Sequence, residues 1–400
     1  MGTRFRRAAW LMKIEDLSQT DLLHLIERYY AGDKVSNLIK AFGLDLKPNQ
    51  FVAALPPEEL DQCCRHCGNT LFRSRSSRSY SLVTKPPHCP VCGHYELGGT
   101  GRCTCPACKE ERSQIERAKI NSVSEAISSY LREQVRPPRD YATLDIRQKV
   151  FLAALLRAAG DETCTFIDRV DQSTSKQPIA PTEEYIREML LELWNCGAIY
   201  VSDESEVEAF GVEQHADGLR VKGVYIFKTC WNVCVTGATV IEMMRPRQIE
   251  PDADALSFWI DMSVSEALAY LNNERARVGL DAPSGEKTTA IIRMIVEKYS
   301  TAEAVFFIWV TLRDVVYARE SKRLNRVHAA NCIPVYLSSK FEKYMSEGWE
   351  PKSYNRFGAQ SLASDILYNN VLGLRGDGFT KRPSLEALGR TDKVLPPPNE

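Results

Sequence analysis

No apolar run in this 400-residue sequence is long enough to span a bilayer. The strongest, AVFFIWVTL from Ala304 to Leu312, covers 9 residues, where a spanning helix needs about 20. The N-terminus MGTRFRRAAWLMKIEDL starts basic, but its apolar part is short and Glu15 and Asp16 follow, with no small-residue cleavage site. It is expected to be a mature cytoplasmic N-terminus with no membrane association. Bulk charge of one sign is also missing. Lys and Arg number 51, Asp and Glu 52, and the formal net charge is -1. That excludes a polycation held to nucleic acid by net charge, so phosphate contacts have to come from local patches. A phosphate loop is lacking too. Gly285–Thr289 (GEKTT) has no properly spaced upstream glycine and no apolar strand running into it, so it reads as a helix start. No acidic triad and no nucleophile with a partner base can be placed, and His328 stands alone on a helix. The chain is therefore expected not to be an enzyme.

What the sequence does have is cysteine, unevenly spread. Eight of its 13 cysteines fall between Cys63 and Glu111. In a reducing compartment, repeated CxxC pairs in a Gly-, Pro- and Ser-rich segment indicate metal rather than disulfides. Cys64-Arg-His-Cys67 and Cys89-Pro-Val-Cys92 are two such turns, each followed by glycine and separated by ribbon spacing. A CxxC turn presents two thiolates to one ion. His94, Cys103, Cys105 and Cys108 follow and supply a second set. Eight ligands predict one or two structural Zn2+ ions, paired either in sequence or interleaved, with Cys63 as the spare and His66 and His88 close by.

Acids are absent from this module over a long stretch. None occurs from Gln62 to Tyr95, while Arg65, Arg73, Arg75, Arg78 and Lys85 are all positive, with Phe72 and Tyr80 between them. Guanidinium groups grip phosphates and aromatic rings stack on bases, so this one-signed loop is expected to contact nucleic acid.

Before the cysteines, Leu22, Leu25, Ile26 and Tyr29 recur at helical spacing. Val35, Leu38, Ile39 and Phe42 form a second set, ended by Gly43, and Pro48 opens a third helix stopped by Pro56-Pro57. ERYYAGDKVSNLIKAFGLDLKPNQF resembles the helix-turn-helix modules of resolvases, transposases and their phage relatives. The resemblance covers about forty residues. It implies that Lys47, Asn49 and Gln50 begin the recognition helix, with Asn and Gln facing adenine edges and Lys a phosphate. It carries over a binding module and no recombination activity.

Further on, Lys109–Val135 reads as a charged connecting helix ending near Pro137-Pro138. Thr182 caps a helix that stops at Gly197 and passes into the strand AIYVSD, with Gly218–Val235 as the other strand, which suggests a winged-helix-like domain. From Glu183 to Asp254, fourteen Asp and Glu stand against six Lys and Arg. A DNA-reading wing is usually basic, so this domain is expected to contact protein or a second copy of the chain. Cys230 and Cys234 read as buried apolar residues. The last third is helical, over Ser263–Arg277, Glu286–Tyr299 and Thr301–Glu320, then one kinked helix through Pro334 and a last one over Ala359–Gly373. Lys322, Arg323 and Arg326 offer a second phosphate-contacting surface.

The expected fold is mainly α and multi-domain. It comprises a helix-turn-helix (1–57), a zinc-ribbon-like module (58–112), a connecting helix (113–138), a winged-helix-like α+β domain (139–250), a helical domain (251–380) and a tail (381–400). The expected function is nucleic-acid binding, double-stranded DNA before RNA, as a regulator or accessory subunit in a mobile-element or phage-defence setting. The alternative is a protein adaptor, or an enzyme subunit with a site in the helical domain that the sequence does not reveal.

Overall fold

Ser18 starts the first helix, its side chain accepting the Asp21 N–H at 3.1 Å, as an N-cap should. In the computed structural model, which describes residues 12–79, 85–97, 103–216, 218–247, 252–280, 285–374 and 377–389, the chain is mostly helical. It divides into two compact units, Met1–Asn121 and Ser122–Glu400. Tyr80, the basic N-terminal residues and the end of the tail lie outside the described residues.

In the front unit, α1 (Gln19–Tyr30) and α2 (Val35–Ala41) are followed by a 3-10 turn, Pro48–Gln50, that runs into α3 (Phe51–Ala54). Leu25, Tyr29, Leu38, Leu44 and Phe51 are buried together, so the two apolar sets read from the sequence share one core with the third helical segment. The third helix is shorter than the resemblance implies. Leu55 is already extended and Pro56-Pro57 block continuation, so less than two turns form before β1 (Glu58–Cys63) begins. β1 pairs antiparallel with β2 (Thr70–Arg73). The expected connecting helix is present as α4 (Pro106–Gln134).

In the rear unit, β3 (Arg139–Asp140) precedes α5 (Ile146–Ala159), which is capped by Asp145 and Gln148 and buried from Val150 to Leu156. After β4 (Phe166–Ile167) comes α6 (Glu183–Cys196), capped by Thr182 and stopped by Gly197 at φ +78°. The strands β5 (Ile199–Val201), β6 (Phe210–His215), β7 (Gly218–Val224), β8 (Trp231–Val233) and β9 (Val235–Thr236) follow. The partner of β5 is β8, in the sheet order β4-β8-β5, while β7 pairs with β6 as a separate hairpin. The sequence suggested Gly218–Val235 as one strand. It splits because Trp231 is fully buried against Trp194, whereas Arg220 and Lys222 face solvent. Cys230 and Cys234 are buried, and burial pushes the Cys230 thiol up to about 11.

The helices α7 (Val240–Met244), α8 (Ala253–Arg277), α9 (Glu286–Val296), α10 (Thr301–Ser321), α11 (Arg326–Asn331), α12 (Ile333–Glu347) and α13 (Leu362–Asp365), a π-helical turn (Ile366–Val371) and α14 (Leu385–Gly389) complete the unit. The helix expected to kink at Pro334 is two helices, and Pro334 lies in the first turn of α12, where its missing N–H costs nothing. Regions 139–250 and 251–380 lie in one compact unit with two cores. The first half of α8 (Phe258, Trp259, Met262) and Leu362–Tyr368 pack with α5 and α6, and the second half of α8 packs with α9, α10 and α12. Among the described residues no helix is long and apolar enough to cross a membrane.

The turn after α5 makes an acid-stability prediction. Burial alone would raise the Asp161 carboxyl. Hydrogen bonds from the Thr163 hydroxyl and from the Phe166 and Thr165 N–H groups, at 2.9 and 2.8 Å, hold it down to about 2 instead. A depressed carboxyl stabilises the fold above its ordinary 3.8, and that contribution is lost as pH falls toward 2. Asp161→Ala is expected to cost roughly 1 kcal/mol at neutral pH, reduced by its partial exposure. Denaturant melts should show the gap to the wild type closing near pH 2.

Candidate metal centres and the groove beside them

The two CxxC-Gly turns adopt the same backbone. Gly68 N–H donates to the Cys64 carbonyl and Gly93 N–H to that of Cys89, both at 2.9 Å. Cys64 N–H and Cys89 N–H close the loops on Asn69 and His94 at 2.7 Å. Both turns need a left-handed residue, and Gly68 (φ +72°) and Gly93 (φ +69°) supply it. Paired N–H···O bonds between Phe72 and His88, at 2.8 and 2.7 Å, hold the second turn against β2. The result brings Cys64, Cys67, Cys89 and Cys92 together with all four sulfurs within 4.8 Å of one another. Cys64–Cys92, Cys67–Cys89 and Cys67–Cys92 stand 3.5, 3.4 and 3.6 Å apart. A Zn–S bond near 2.3 Å in a tetrahedron gives edges of ~3.8 Å, so the set fits one ion of that size.

The thiol electrostatics fit a cation too. The Asn69 side chain and backbone N–H hold Cys67 down to about 6, whereas burial and the adjoining thiols push Cys92 up to about 12. Four thiolates this close repel, and a divalent cation at their centre removes the conflict.

The second group is His66, His94, Cys105 and Cys108, again within 4.8 Å of one another. Cys105 and Cys108 flank the start of α4, where the helix dipole favours thiolate. His94 is buried and turns Nδ1 toward Cys108 Sγ at 3.3 Å, while its Nε2 faces Glu96 Oε1 at 3.1 Å. A carboxylate behind the ring is how ligating histidines are oriented. His66 Nε2 lies 3.1 Å from Cys108 Sγ. The sequence reading put Cys103 in this set and left His66 as a neighbour. Cys103 instead stands at the edge as a fifth donor, its sulfur accepting the Tyr95 and Cys105 N–H groups at 3.2 and 3.5 Å. Burial opposes its ionisation, but those N–H groups bring it down to about 6. His66 was missed because it sits inside the first CxxC turn, where spacing rules place no ligand. The pairing is thus interlocked: one four-residue turn gives its cysteines to the first group and its histidine to the second. Cys63 is exposed and belongs to neither.

The basic residues divide by what they touch. Arg78 points inward, its Nη1 donating to the Tyr29 and Asp33 carbonyls at 2.8 Å with its guanidinium over the Tyr29 ring. Arg65 is drawn to Cys108 Sγ at 3.3 Å and Glu111 at 3.2 Å. Arg73 lies half-buried on β2, with its Nε buried and unpartnered among the described residues. Arg75 donates Nε to the Pro56 carbonyl at 3.1 Å and lines a cavity of about 500 Å³. Asn49 from the third helical segment, Lys85, His88, Ser74 and Ser77 line it as well, and among the described residues no carboxylate does. Lys47 and Gln50 are exposed on the leading turn beside Asn49. In the rear unit, Lys322 and Arg323 occupy an exposed turn after α10, with Arg323 at φ +54°, and Arg326 opens α11 next to the exposed His328.

No protein-family model, no curated protein and no solved structure gives a significant match to this chain.

Proposed function

We propose that the front unit is a nucleic-acid-binding head held in shape by two structural zinc ions. Four cysteines in one group, and two histidines with two cysteines in the other, are donor sets suited to zinc. Four protein ligands at each ion leave no open position for a reacting water. The observation that carries the reading is a groove free of acids among the described residues. Two stretches that pointed separately to nucleic acid, the leading turn of the third helix and the basic loop of the cysteine module, line one cavity through Asn49, Arg75 and Lys85. Two cations, a histidine and serine hydroxyls suit a phosphate backbone. The short third helix limits reading of base edges, so binding is expected to be backbone-dominated and weakly sequence-specific. Double-stranded DNA is the first polymer to test and RNA the second. Protein contact through the rear unit is the second reading, favoured by exposed Val207, Tyr225 and Ile241 in the acidic stretch.

The test is a salt series on duplex DNA, single-stranded DNA and RNA. Replacing Arg75 and Lys85 together by Ala should weaken binding and flatten the slope of log K against log salt by roughly 1–2, since each lost phosphate contact removes about one released counterion. An unchanged slope would move the contact elsewhere. Arg78→Ala is the control. It should lower the melting temperature of the front unit, through the lost bonds to Tyr29 and Asp33, more than it changes the slope.

A further inference from the structure

The helix α10 buries Phe307, Ile308, Val310, Leu312 and Val315 in the second core of the rear unit and leaves one face to solvent. Trp309, Arg313 and Tyr317 stand on that face four residues apart, so they form one row along the helix. Trp309 is 37% exposed and Tyr317 73%. The Arg313 guanidinium lies 5.3 Å from the centre of the Trp309 ring, and the Tyr354 ring lies 6.1 Å from it. The row runs into the exposed turn of Lys322 and Arg323, with Arg326 opening α11 beyond it.

The charge on this surface is positive, unlike that of the acidic stretch earlier in the unit. From Trp309 to Arg326, five Lys and Arg stand against Asp314 and Glu320. Asp314 is shared between Arg313, at 3.1 Å, and Lys340 of α12, at 2.7 Å, so one acid faces two cations. Arg319 donates to the Val278 carbonyl at 3.1 Å, which satisfies a donor without offsetting the charge. Glu320 is the acid exposed on this face. A single exposed ring needs no explanation. Rings and cations alternating along one face are what a polymer of phosphates with open bases requires.

We infer that this row binds single-stranded nucleic acid. One base stacks on the open ring of Tyr317 and another on the Trp309–Arg313 pair, since guanidinium planes take stacked bases as aromatic rings do. Arg313, Lys322 and Arg323 hold phosphates. From Trp309 to Tyr317 the helix rises about 12 Å, room for roughly three or four nucleotides at the ~3.4 Å spacing of a stacked strand. A duplex fits less well. Its base faces are covered by their neighbours, and α10, packed between α8 and α12, is not free to enter a major groove. A protein partner would use the same rings, but the excess of cations favours a polymer with a negative charge at every unit. The row lies wholly in the rear unit, and the inference goes beyond the function proposed for the front unit.

The experiment uses the full-length, metal-loaded protein carrying Arg75→Ala and Lys85→Ala, which weakens the front groove. Its binding to oligothymidylate and oligouridylate of about 16 nucleotides, and to a duplex of the same length, is followed by fluorescence anisotropy over a salt series. In this background Tyr317→Ala should weaken single-strand binding ~10-fold and leave duplex binding unchanged, while Tyr317→Phe, which keeps the ring, should restore the strand affinity. Lys322→Ala with Arg323→Ala should flatten the single-strand slope of log K against log salt by about 1.4. Photo-crosslinking of the unsubstituted protein to a strand containing iodouracil should label Trp309 or Tyr317. The proposal is overturned if no strand binds in this background, if Tyr317→Ala leaves strand affinity unchanged, or if crosslinks are confined to the front unit. Loss of self-association in Tyr317→Ala, with strand affinity unchanged, would make the row a contact between protein chains instead. Failure of the front groove reads differently, as a salt slope that Arg75→Ala and Lys85→Ala do not move, so the two sites are tested separately.

Discussion

Chelation is expected to unfold the cysteine module of the front unit and leave the rear unit standing. The apolar core of the cysteine module is little more than Leu71 and the thiols themselves, with Leu60 packed against it. β1 and β2 form a two-stranded sheet, too small to hold itself together in water. Structural zinc contributes on the order of 10–16 kcal/mol in small modules, as much as the whole stability of an ordinary domain. The rear unit has two cores of its own and includes neither metal group. Metal analysis should find two ions per chain, and chelated protein should lose nucleic-acid binding and become protease-sensitive within the front unit while the rear unit's thermal transition stays in place. Cys89→Ser, at the most buried thiol of the first group, should release one ion and collapse the module. His66→Asn should release the second ion, whereas Cys103→Ser should leave two. Two ions bound in His66→Asn would give the fourth position to Cys103. No metal at all, with an unchanged protease pattern, would remove zinc from the account.

Where the sequence spoke through spacing, it spoke clearly. Cys64, Cys67, Cys89 and Cys92 come together through two like turns and one ribbon, the first of the two pairings that the spacing left open. Thr182 and Gly197 marked helix ends correctly because capping is local chemistry. What stayed hidden depends on contacts between distant residues. Arg78 looked like a phosphate grip, but carbonyls of Tyr29 and Asp33, 45 or more positions away, take it inward. Arg65 is held by Cys108 and Glu111 in the same way. The strand partner of β5 depended on where Trp231 is buried, and alternation along the strand does not carry that. The ion pair of Glu266 and Arg356, 90 positions apart, gave no local signal at all.

The second large effect is expected at Arg147, in the first turn of α5. It joins three helices. Nε faces Glu192 of α6 at 3.1 Å, Nη1 faces Asp261 of α8 at 2.6 Å, and Nη2 reaches Glu188 of α6. The guanidinium lies over the rings of Phe151, Tyr185 and Phe258, 5.2 to 6.0 Å from their centres. Burial disfavours its charge, but Tyr185 and the three carboxylates more than restore it. Arg147→Met keeps the volume and removes the charge. Arg293 still neutralises Asp261, at 2.5 Å, but Glu192 is left half-buried with no cation. The half-exposed Glu188 adds little. Breaking one side of such a network costs about 3–5 kcal/mol, which for a unit this large is a fall in melting temperature on the order of 10 °C. Burial already raises the Glu192 carboxyl in the wild type. A raised carboxyl favours the folded state most fully below its unfolded value and loses that contribution as pH rises through the folded one. Without Arg147 it rises further, so the deficit of Arg147→Met should be largest near neutral pH and shrink toward pH ~4. Denaturant melts at the two pH values decide it. An equal deficit at both would assign the loss to ring contacts and packing, and a deficit under about 1 kcal/mol would reduce the network to surface ion pairs.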